Sequence, residues 1–324
     1  MEPILSVQHL NTVFTSDFGT GTVVDDVSFN AYPGQTLCIV GESGCGKSVT
    51  CLSVMGLLSR NGRISSGEVL FDGKPIANLS EKQLDRIRGS EISMIFQDAL
   101  TSLNPVFTIG NQLMESIRIH MSMDKKSAKR RALALLEKVG LPDPETTFRS
   151  YPHTLSGGQR QRVMIAMALS CDPKLLIADE PTTALDVTIQ KQIMKLLQQL
   201  QKENGMSIIL ITHDMGLVAQ MADQVLVMYA GQVVEEAPVM ELFHHPSHPY
   251  TQLLLKSVPS ITDTDERVLE SIQDTVPEHY QDMQGCRFRS RCPFATEQCG
   301  QNQAMLEQSA RHFVRCHLGK EAAK

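Results

Sequence analysis

The sequence of 324 residues contains no tryptophan, and aromatic residues make up only 5% of it. It also has no excess of positive charge, because 30 lysine and arginine residues stand against 36 aspartate and glutamate residues. A protein that binds nucleic acid without sequence preference depends on positive charge, so this class is disfavoured. The one basic run, at residues 125–131, lies in a helical pattern and is predicted to be a solvated helix face.

Long apolar runs are missing as well. No stretch reaches the ~18–20 apolar residues that cross a bilayer, and no apolar segment of a signal peptide follows the acidic start Met1-Glu2-Pro3. If the protein serves a membrane, we expect it to dock onto other chains that span it. In a chain without a leader, the eight cysteines are predicted to be reduced thiols or metal ligands rather than disulfides.

Short apolar runs bounded by turn residues alternate with helical patterns over much of the chain. This alternation predicts an α/β fold with a parallel sheet, a β-rich start and a mostly helical insertion between about residues 80 and 170. The expected strands are residues 4–10, 23–29, 36–40, 175–178, 207–212 and 225–229, and the expected helices are residues 48–58, 128–139, 187–201 and 215–221. After about residue 236 the regular alternation of strand and helix patterns ends, which predicts a separate C-terminal segment.

A glycine-rich loop follows the expected strand at residues 36–40. Residues 41–48 read GESGCGKS, which fits the pattern G-x-x-x-x-G-K-[ST] between a strand and a helix. Glycines let successive backbone N–H groups face phosphate oxygens, and the start of a helix favours an anion. Lys47 supplies a mobile positive charge, and the Ser48 hydroxyl can bind Mg²⁺. The loop predicts a nucleoside triphosphate site, with a chance glycine-rich turn as the alternative.

Two acidic residues end the expected strand at residues 175–178. Asp179 is expected to hold Mg²⁺ through water, and Glu180 to polarise the attacking water. A strand that is merely capped by acids is the alternative interpretation. Together with the glycine-rich loop, the acidic pair favours a nucleotide hydrolase.

The run LSGGQ at residues 155–159 precedes the acidic pair, and with it the chain resembles the ATPase subunits of ABC transporters. Three further residues match the family in order: Gln97 its Q-loop, Asp186 its D-loop and His213 its switch histidine. The resemblance covers about residues 1–240. It implies that LSGGQ faces ATP bound by a second subunit, so that two ATP molecules are sandwiched in a head-to-tail dimer. Closure of that dimer would be the power stroke.

The resemblance implies a role for each matching residue. Glu180 would be the general base, His213 would contact the γ-phosphate, and Gln97 would sense the γ-phosphate and Mg²⁺. Phe14 would stack on adenine, with core packing as its alternative, and a structural role is the alternative for His213. The expected nucleotide-binding residues are Phe14, Ser43, Gly44, Cys45, Gly46, Lys47, Ser48, Val49, Ser156, Gly157, Gly158, Gln159, Asp179 and Asp186. The residues expected at Mg²⁺ are Ser48, Gln97 and Asp179.

The resemblance also implies a division of the chain. The first part of a RecA-like P-loop NTPase core, with an antiparallel β subdomain, is expected at residues 1–93, and its second part at residues 164–235. An inserted α-helical subdomain that ends in the signature is expected at residues 94–163, and a cysteine-bearing extension at residues 236–324. The helical subdomain, near residues 97–114, should receive the coupling helices of a permease.

Three runs resemble one branch of the family. SLNP at residues 102–105 and HPYT at residues 248–251 are similar to the oligopeptide, dipeptide and nickel importers, and GCRFRSRCP at residues 285–293 is similar to the extension of the peptide importers. The implied function is ATP hydrolysis that drives import of dipeptides or oligopeptides, at the cytoplasmic face of the membrane. The implied partners are a second, homologous ATPase, two membrane-spanning permeases and an external binding protein, with no nucleic acid. The alternatives are a nickel, metal-chelate or sugar cargo, and a soluble ABC ATPase of translation or DNA repair.

Half of the cysteines lie in the C-terminal extension. Cys286, Cys292, Cys299 and Cys316 have the spacing C-x5-C-x6-C-x16-C, unlike the short C-x2-C of common zinc sites. Four thiolates suit Zn²⁺ or a [4Fe–4S] cluster, and nearby arginines are expected to favour the thiolate form. In the resembling subfamily the motif implies [4Fe–4S]. Zinc and free buried thiols are the alternatives, and His317 is an alternative ligand.

The other four cysteines, Cys38, Cys45, Cys51 and Cys171, are expected to pack in the core. For Cys45, which lies in the glycine-rich loop, the alternative is an exposed thiol that is open to oxidation.

Overall fold

The computed structural model describes residues 1–17, 19–98, 102–183, 185–257, 275–277 and 279–319. Ala184, just before the expected D-loop residue Asp186, lies outside them, as do parts of the predicted C-terminal extension (258–274, 278 and 320–324). The chain forms two compact units. The first comprises Met1–Ala31, Gln35–Ala77 and Ile211–Lys324, and the second comprises Tyr32–Gly34 and Asn78–Leu210.

The secondary structure mixes strands and helices along the whole described chain. The strands are β1 (Leu5–Ser16), β2 (Gly19–Ala31), β3 (Thr36–Val40), β4 (Gly62–Phe71), β5 (Lys74–Pro75), β6 (Ile92–Ile95), β7 (Leu175–Asp179), β8 (Ser207–Ile211), β9 (Gln224–Tyr229), β10 (Gln232–Pro238), β11 (Leu306–Ser309) and β12 (His312–Val314). The α-helices are α1 (Lys47–Met55), α2 (Glu81–Ile87), α3 (Ile109–Met121), α4 (Lys125–Lys138), α5 (Pro144–Arg149), α6 (Gly157–Ala168), α7 (Val187–Asn204), α8 (Met215–Met221), α9 (Val239–His244) and α10 (Pro249–Lys256). Among the residues described, none of these helices has both the length and the apolar character that a bilayer crossing requires.

The first unit contains an antiparallel sheet and a second group of strands around the glycine-rich loop. The antiparallel sheet has the order β2-β1-β4-β5. In the second group, β3 pairs in parallel with β9, and β9 pairs antiparallel with β10. Every residue of β3 and β9 is buried. Their continuous apolar sequences follow from this burial, because a strand covered on both faces needs no alternation of polar residues.

The C-terminal residues complete the first unit. β12 pairs antiparallel with β10, and β11 pairs antiparallel with β12. Glu235 of β10 is completely buried, and its carboxylate accepts hydrogen bonds from the backbone N–H groups of Ser247 (2.7 Å) and His248 (2.9 Å). It also pairs with Nε2 of His312 at 2.7 Å. One carboxylate therefore joins β10, the start of α10 and β12.

The second unit combines three strands with the helices α2 to α7. Its strand order is β8-β7-β6, and β6 runs parallel to β7. Helix α3 packs against α4 and α5, and α6 packs against α3, α4 and β6. On α4, Ala128, Ala132 and Leu136 are buried whereas Lys126 and Arg130 are exposed, so the basic run covers the outer face of the helix.

The predicted alternation of strands and helices holds along the chain, with β3 and α8 at their expected bounds. Helix α1 ends three residues earlier than expected because Gly56 caps it with a φ of +62°. The stretch expected to be mostly helical contains β6, which is four residues long and has three of its residues buried. So short an apolar run gives no periodicity from which to tell a strand from a helical segment. The domain boundaries at residues 93, 163 and 235 stay predictions.

Candidate functional site

The glycine-rich loop at residues 41–48, hereafter the phosphate loop, connects β3 to α1. At Gly41 an added Cβ would lie 2.2 Å from the carbonyl oxygen of Met228, so no larger residue fits. Gly44 and Gly46 have φ values of +80° and +98°, and Gly46 is the N-cap of α1 without a side-chain hydrogen bond. The loop therefore curls tightly onto the start of a helix, as anion-binding loops do.

Lys47 and Cys45 both lie inside this loop. The buried Nζ of Lys47 donates hydrogen bonds to the carbonyl oxygens of Gly41 (2.8 Å) and Glu42 (2.9 Å). The expectation that Cys45 packs in the core is confirmed and the exposed alternative is wrong, because its side chain packs beneath Gly41 and is fully buried. Burial also raises the pKa of the Cys45 thiol, which disfavours oxidation at this position. Ser43 is exposed on the loop.

Three more of the expected residues belong to the first unit. Phe14 is partly exposed near the end of β1, and its ring contacts Gly62, where an added Cβ would lie 2.7 Å away. Val49, in the first turn of α1, is partly exposed. His213 is exposed and precedes Asp214, the N-cap of α8, whose carboxylate accepts from the N–H of Gly216 at 2.8 Å.

In the second unit, β6 and β7 are parallel neighbours, so the residues that follow them meet at one edge. Nε2 of Gln97 donates to Oε2 of Glu180 at 3.1 Å, and the hydroxyl of Thr183 donates to the same oxygen at 2.9 Å. Asp179, the last residue of β7, is 5% exposed. The structure thus brings together Gln97 and Glu180, which lie 83 positions apart in sequence.

The backbone of Glu180 adopts a left-handed conformation with a φ of +45°. A residue other than glycine pays about 1–3 kcal/mol for such a conformation, and strained positions of this kind cluster at functional sites. Here the left-handed conformation of Glu180 changes the direction of the chain directly after β7. It places the Glu180 carboxylate against the side chains of Gln97 and Thr183.

The signature residues begin α6. Ser156 is its N-cap, and Oγ of Ser156 accepts from the N–H of Gln159 at 3.3 Å while Oε1 of Gln159 accepts from the N–H of Ser156 at 2.9 Å. Helix α6 begins at Gly157. At Gly158 an added Cβ would lie 3.0 Å from the side chain of Ile189.

A second helix begins close to the signature. Asp186 is the N-cap of α7 and accepts from the N–H of Ile189 at 2.9 Å. The signature is therefore fixed by a reciprocal cap, the start of α7 by the one-sided cap of Asp186, and the two helix starts by the contact of Gly158 with Ile189. Ser156 is exposed, and a hydroxyl that accepts a hydrogen bond still has its own hydrogen to donate.

The C-terminal residues 279–319, hereafter the cysteine segment, bring four cysteines together around one small cavity. Cys286, Cys292, Cys299 and Cys316 all line it, together with His248. The backbone N–H of Cys286 donates to the carbonyl oxygen of Cys299 at 2.8 Å, which joins two of the loops that carry them. The structure therefore unites four residues that are spread over 31 positions of sequence.

The expectation that arginines hold these thiols as thiolates is wrong. Burial, reinforced by the neighbouring cysteines, raises the pKa of Cys286 to about 11, and burial also raises the pKa of Cys292 and of Cys316. The nearby arginines form ion pairs elsewhere. Those pairs are Arg287 with Asp25, Arg291 with Glu42 and Arg315 with Asp26. Without a metal, the thiols of Cys286, Cys292 and Cys316 are therefore protonated at neutral pH.

His248 borders the same cavity and carries an unsatisfied group. It is 1% exposed, and its Nδ1 accepts from the N–H of Tyr250 at 3.0 Å, so the ring hydrogen belongs on Nε2. Among the described residues, that buried Nε2 has no hydrogen-bond partner. Burial lowers the pKa of His248 to about 4, so the ring is neutral. Within the described part of the chain, no three His, Cys, Asp or Glu side chains are grouped in a way that could hold a metal ion.

Several residues around the site could not be assigned from sequence. Thr183 has no motif of its own, although it lies three residues after Glu180. Tyr250 was visible only as part of HPYT, yet its Oη accepts from the backbone N–H of Glu42 at 2.9 Å. Arg291 was one of several arginines near the cysteines, and nothing in that run marks it as the partner of Glu42.

Comparisons with known proteins agree with this arrangement. The model of the family described as "ABC transporter" matches residues 24–183, and that described as "Oligopeptide/dipeptide transporter, C-terminal region" matches residues 234–299. The chain is 49% identical over 314 residues to the dipeptide transport ATP-binding protein DppD of Haemophilus influenzae, which covers 97% of this chain and 95% of that protein. It is 49% identical over 323 residues to the oligopeptide transport ATP-binding protein AppD of Bacillus subtilis, covering 99% of this chain and 98% of that one.

A solved structure shows the same fold. The dimeric ATP-binding cassette MJ0796, in a post-hydrolysis state bound to ADP and Pi, superposes with a TM-score of 0.66 at 28% identity. The match covers 72% of this chain and 98% of that chain. The predicted class, an α/β P-loop NTPase, is therefore confirmed, and so is ATPase activity. The chain belongs to the ATP-binding subunits of ABC transporters, in the oligopeptide and dipeptide transporter branch of that family.

Proposed function

We propose that this ATPase drives the import of dipeptides or oligopeptides, as a peripheral subunit at the cytoplasmic face of the cell membrane. The observation that carries the proposal is the similarity of the chain, including its C-terminal part, to peptide transporters. Residues 234–299 match the C-terminal region of oligopeptide and dipeptide transporters, and the match to a dipeptide and an oligopeptide transport protein runs nearly end to end. Nickel, metal chelates and sugars are the alternative cargoes, and a soluble ABC ATPase without a transporter is the other alternative.

The cargo is tested by uptake in a strain that lacks this chain. Cells with and without a plasmid copy receive a radiolabelled dipeptide, a radiolabelled pentapeptide, ⁶³Ni²⁺ or a labelled sugar in parallel. We expect peptide uptake to fall to background and to return with the plasmid copy, while nickel and sugar uptake do not change. If nickel or sugar uptake were lost while peptide uptake stayed normal, the peptide assignment would be wrong and the lost substrate would be the cargo. Normal uptake of all four would point to the soluble class.

For the nucleotide, each residue of the first unit receives the role that its chemistry allows. The phosphate loop would bind phosphate through its N–H groups and Lys47, and Phe14 would stack on adenine. His213 would contact the γ-phosphate. Ser48 here and Asp179 in the second unit offer the oxygen ligands that Mg²⁺ prefers, and a bound Mg²⁺ would neutralise phosphate charge.

In the second unit, Glu180 would act as the general base. Gln97 donates to its carboxylate, so Gln97 would orient that group and respond to the γ-phosphate. Ser156 would donate its hydroxyl hydrogen to a phosphate bound by another subunit, and Asp186 would fix the neighbouring helix start. The dimeric state of the similar cassette MJ0796 supports such a pairing. We infer that the second ATPase is a homologous but distinct chain.

Two permeases would dock on the second unit, and an external binding protein would deliver the cargo to them. A groove lined by Phe107, Met114 and Ile119 opens between residues 107 and 125. Phe107 is 51% exposed and Ile119 is 66% exposed, which is unusual for large apolar side chains. A short amphipathic helix from a permease loop fits a groove of this kind.

Phe107→Asp tests the docking surface. We expect this variant to lose co-purification with the permeases from detergent-solubilised membranes, because a carboxylate would have to be buried in an apolar contact. Met240→Asp is the matched control, since Met240 is 66% exposed but lies on α9 in the first unit. Permeases recovered equally with Phe107→Asp would contradict the placement of the docking surface.

The four cysteines would hold a [4Fe–4S] cluster, which supplies a compact iron–sulfur crosslink between their loops when bound. The described residues hold no group that could bind a single metal ion, but a cluster differs because each of its irons takes one cysteine. Two observations support the fit of a cluster. All four thiols line one cavity, and the buried Nε2–H of His248 at that cavity lacks a partner that a cluster sulfur could provide. A single zinc ion has a stricter requirement. Four Zn–S bonds of about 2.3 Å would bring all four sulfurs to within about 3.8 Å of one another.

The metal content of the anaerobically purified chain decides between the alternatives. We expect about four iron atoms and four labile sulfides per chain, with visible absorption that Cys299→Ser abolishes. Cys171→Ser, at a partly exposed cysteine in the second unit, is the matched control. One zinc per chain, or neither metal with four reactive thiols after unfolding, would establish one of the other two states.

A further inference from the structure

The cysteine segment is bonded to the phosphate loop through Glu42. Nη1 of Arg291 lies 3.1 Å and 3.2 Å from the two carboxylate oxygens of Glu42, and 3.2 Å from Oη of Tyr229. The Arg291 side chain is only 4% exposed, and its guanidinium lies over the rings of Tyr229 and Phe288. The Arg291 guanidinium is therefore held by the two aromatic rings and by its hydrogen bonds. Its position in turn fixes the position of the Glu42 carboxylate.

All polar groups of Glu42 take part in this arrangement. Its backbone N–H donates to Oη of Tyr250, a residue that is completely buried, and its carbonyl oxygen accepts from Nζ of Lys47 at 2.9 Å. The same residue thus connects the cysteine segment to the lysine of the phosphate loop. A shift of Glu42 would move a carbonyl oxygen to which the Lys47 ammonium is bonded.

A second connection runs in parallel. Arg287, also nearly buried, donates to the carbonyl oxygen of Ala230 and to Asp25. Ala230 has a φ of +47°, and the next residue, Gly231, donates its N–H to the carbonyl oxygen of Cys45 at 2.9 Å. The cysteine segment therefore contacts the turn that supports the middle of the phosphate loop, in addition to Glu42.

We propose that Arg291 is a positioning residue for nucleotide binding: through Glu42, the cysteine segment holds the phosphate loop in the shape that receives phosphate. A loop that is already ordered loses less conformational entropy on binding, so the clamp raises ATP affinity without touching ATP. Arg291 directly precedes Cys292, so the packing of the cysteine loops sets where the guanidinium lies. The inference rests on the proposed role of the phosphate loop in binding ATP.

The test measures the dissociation constant of a fluorescent ATP analogue with Mg²⁺ on the full chain. We expect Arg291→Ala and Glu42→Ala each to weaken binding about fivefold, which is about 1 kcal/mol. The double variant should also weaken it about fivefold, since both changes remove one interaction. Arg291→Lys should lose about twofold. Arg289→Ala, an exposed arginine of the same segment, is the control and should bind normally.

Several outcomes would overturn the clamp. Wild-type affinity in Glu42→Ala would do so, and this variant lies outside the cysteine segment, so it remains informative if Arg291→Ala fails to fold. A loss of about 25-fold in the double variant, the product of two independent effects, would also do so. Lys47→Ala is measured beside them. Unchanged binding there would overturn the phosphate loop as the ATP site, and the clamp with it, whereas a large loss there with normal Arg291→Ala would overturn the clamp alone.

Discussion

Glu180 after β7 and Glu235 within β10 have opposite surroundings. Glu180 is partly exposed on strained backbone, and its carboxylate receives hydrogen bonds from the side chains of Gln97 and Thr183. Glu235 is completely buried on an extended strand, and its carboxylate receives two backbone N–H groups and a buried histidine. Side-chain donors can rotate away, whereas backbone donors of an ordered element cannot. The first surroundings suit a group that changes partners during a reaction, and the second suit a group that holds elements together.

The largest expected effect is at Glu180. Glu180→Gln keeps the size of the side chain but removes its basicity, so we expect ATP binding to persist while hydrolysis falls by about 10²- to 10⁴-fold. Phosphate release and analogue binding are measured on the same preparation. Glu91→Gln, an exposed ion-pair partner of Lys174 in the same unit, should hydrolyse ATP normally. Wild-type turnover in Glu180→Gln would refute the role of Glu180 as the general base. The contrast between a catalytic Glu180 and a structural Glu235 would then no longer hold.

Glu235→Ala is expected to destabilise the fold. The change leaves His312 and two backbone N–H groups buried without their acceptor, so the free energy of unfolding should fall by about 3 kcal/mol. Thermal unfolding followed by circular dichroism measures this loss. Glu241→Ala is the control, because Glu241 is 37% exposed and lies 3.7 Å from the same histidine. Equal melting temperatures for the two variants would mean that Glu235 does not hold these elements together.

Glu236, beside Glu235 on β10, adds a third case to the comparison because it is partly buried and has fewer hydrogen-bond partners. Burial raises its pKa to about 7, and the side chain of Gln224 and the charge of Arg311 only partly oppose this. The folded state thus binds the proton more tightly than the unfolded state, whose pKa is near 4.5. Stability should therefore fall as the pH rises from about 4.5 to about 7, by at most about 3 kcal/mol.

Glu236→Gln should flatten that part of the stability curve. Urea unfolding at a series of pH values, with the wild type beside the variant, measures the difference in slope. Glu203→Gln, at an exposed carboxylate, is the control: hydrogen bonds with Gln199 and Lys138 lower the pKa of Glu203, so this variant should keep the wild-type slope above about pH 6. Parallel curves for wild type and Glu236→Gln would show that the pKa of Glu236 is the same in the folded and unfolded states.

The sequence predicted most of the fold because its signals are local. A buried strand such as β3 shows as a continuous apolar run, and the phosphate loop is a contiguous motif whose glycines have direct geometric reasons. Contacts between distant residues left no such signal. The pair of Glu42 and Arg291 is separated by 249 positions, and the burial of Cys45 depends on how the loop folds over its own side chain. The prediction that the arginines near the cysteines favour thiolates failed for the same reason. The acidic partners of these arginines lie near the start of the chain.

The pairing of β12 with β10 has a consequence for how this chain can be cut. A version ending at Ser257 would contain every nucleotide motif, but it would leave β10 as an open edge strand with unpaired N–H and C=O groups. Such an edge is a template for pairing with other chains, and the carboxylate of Glu235 would lose its hydrogen bond with His312. The nucleotide-binding part is therefore not expected to stay monomeric when it is separated from the last strands. These strands protect it from self-association, and a shortened version is expected to aggregate when produced alone.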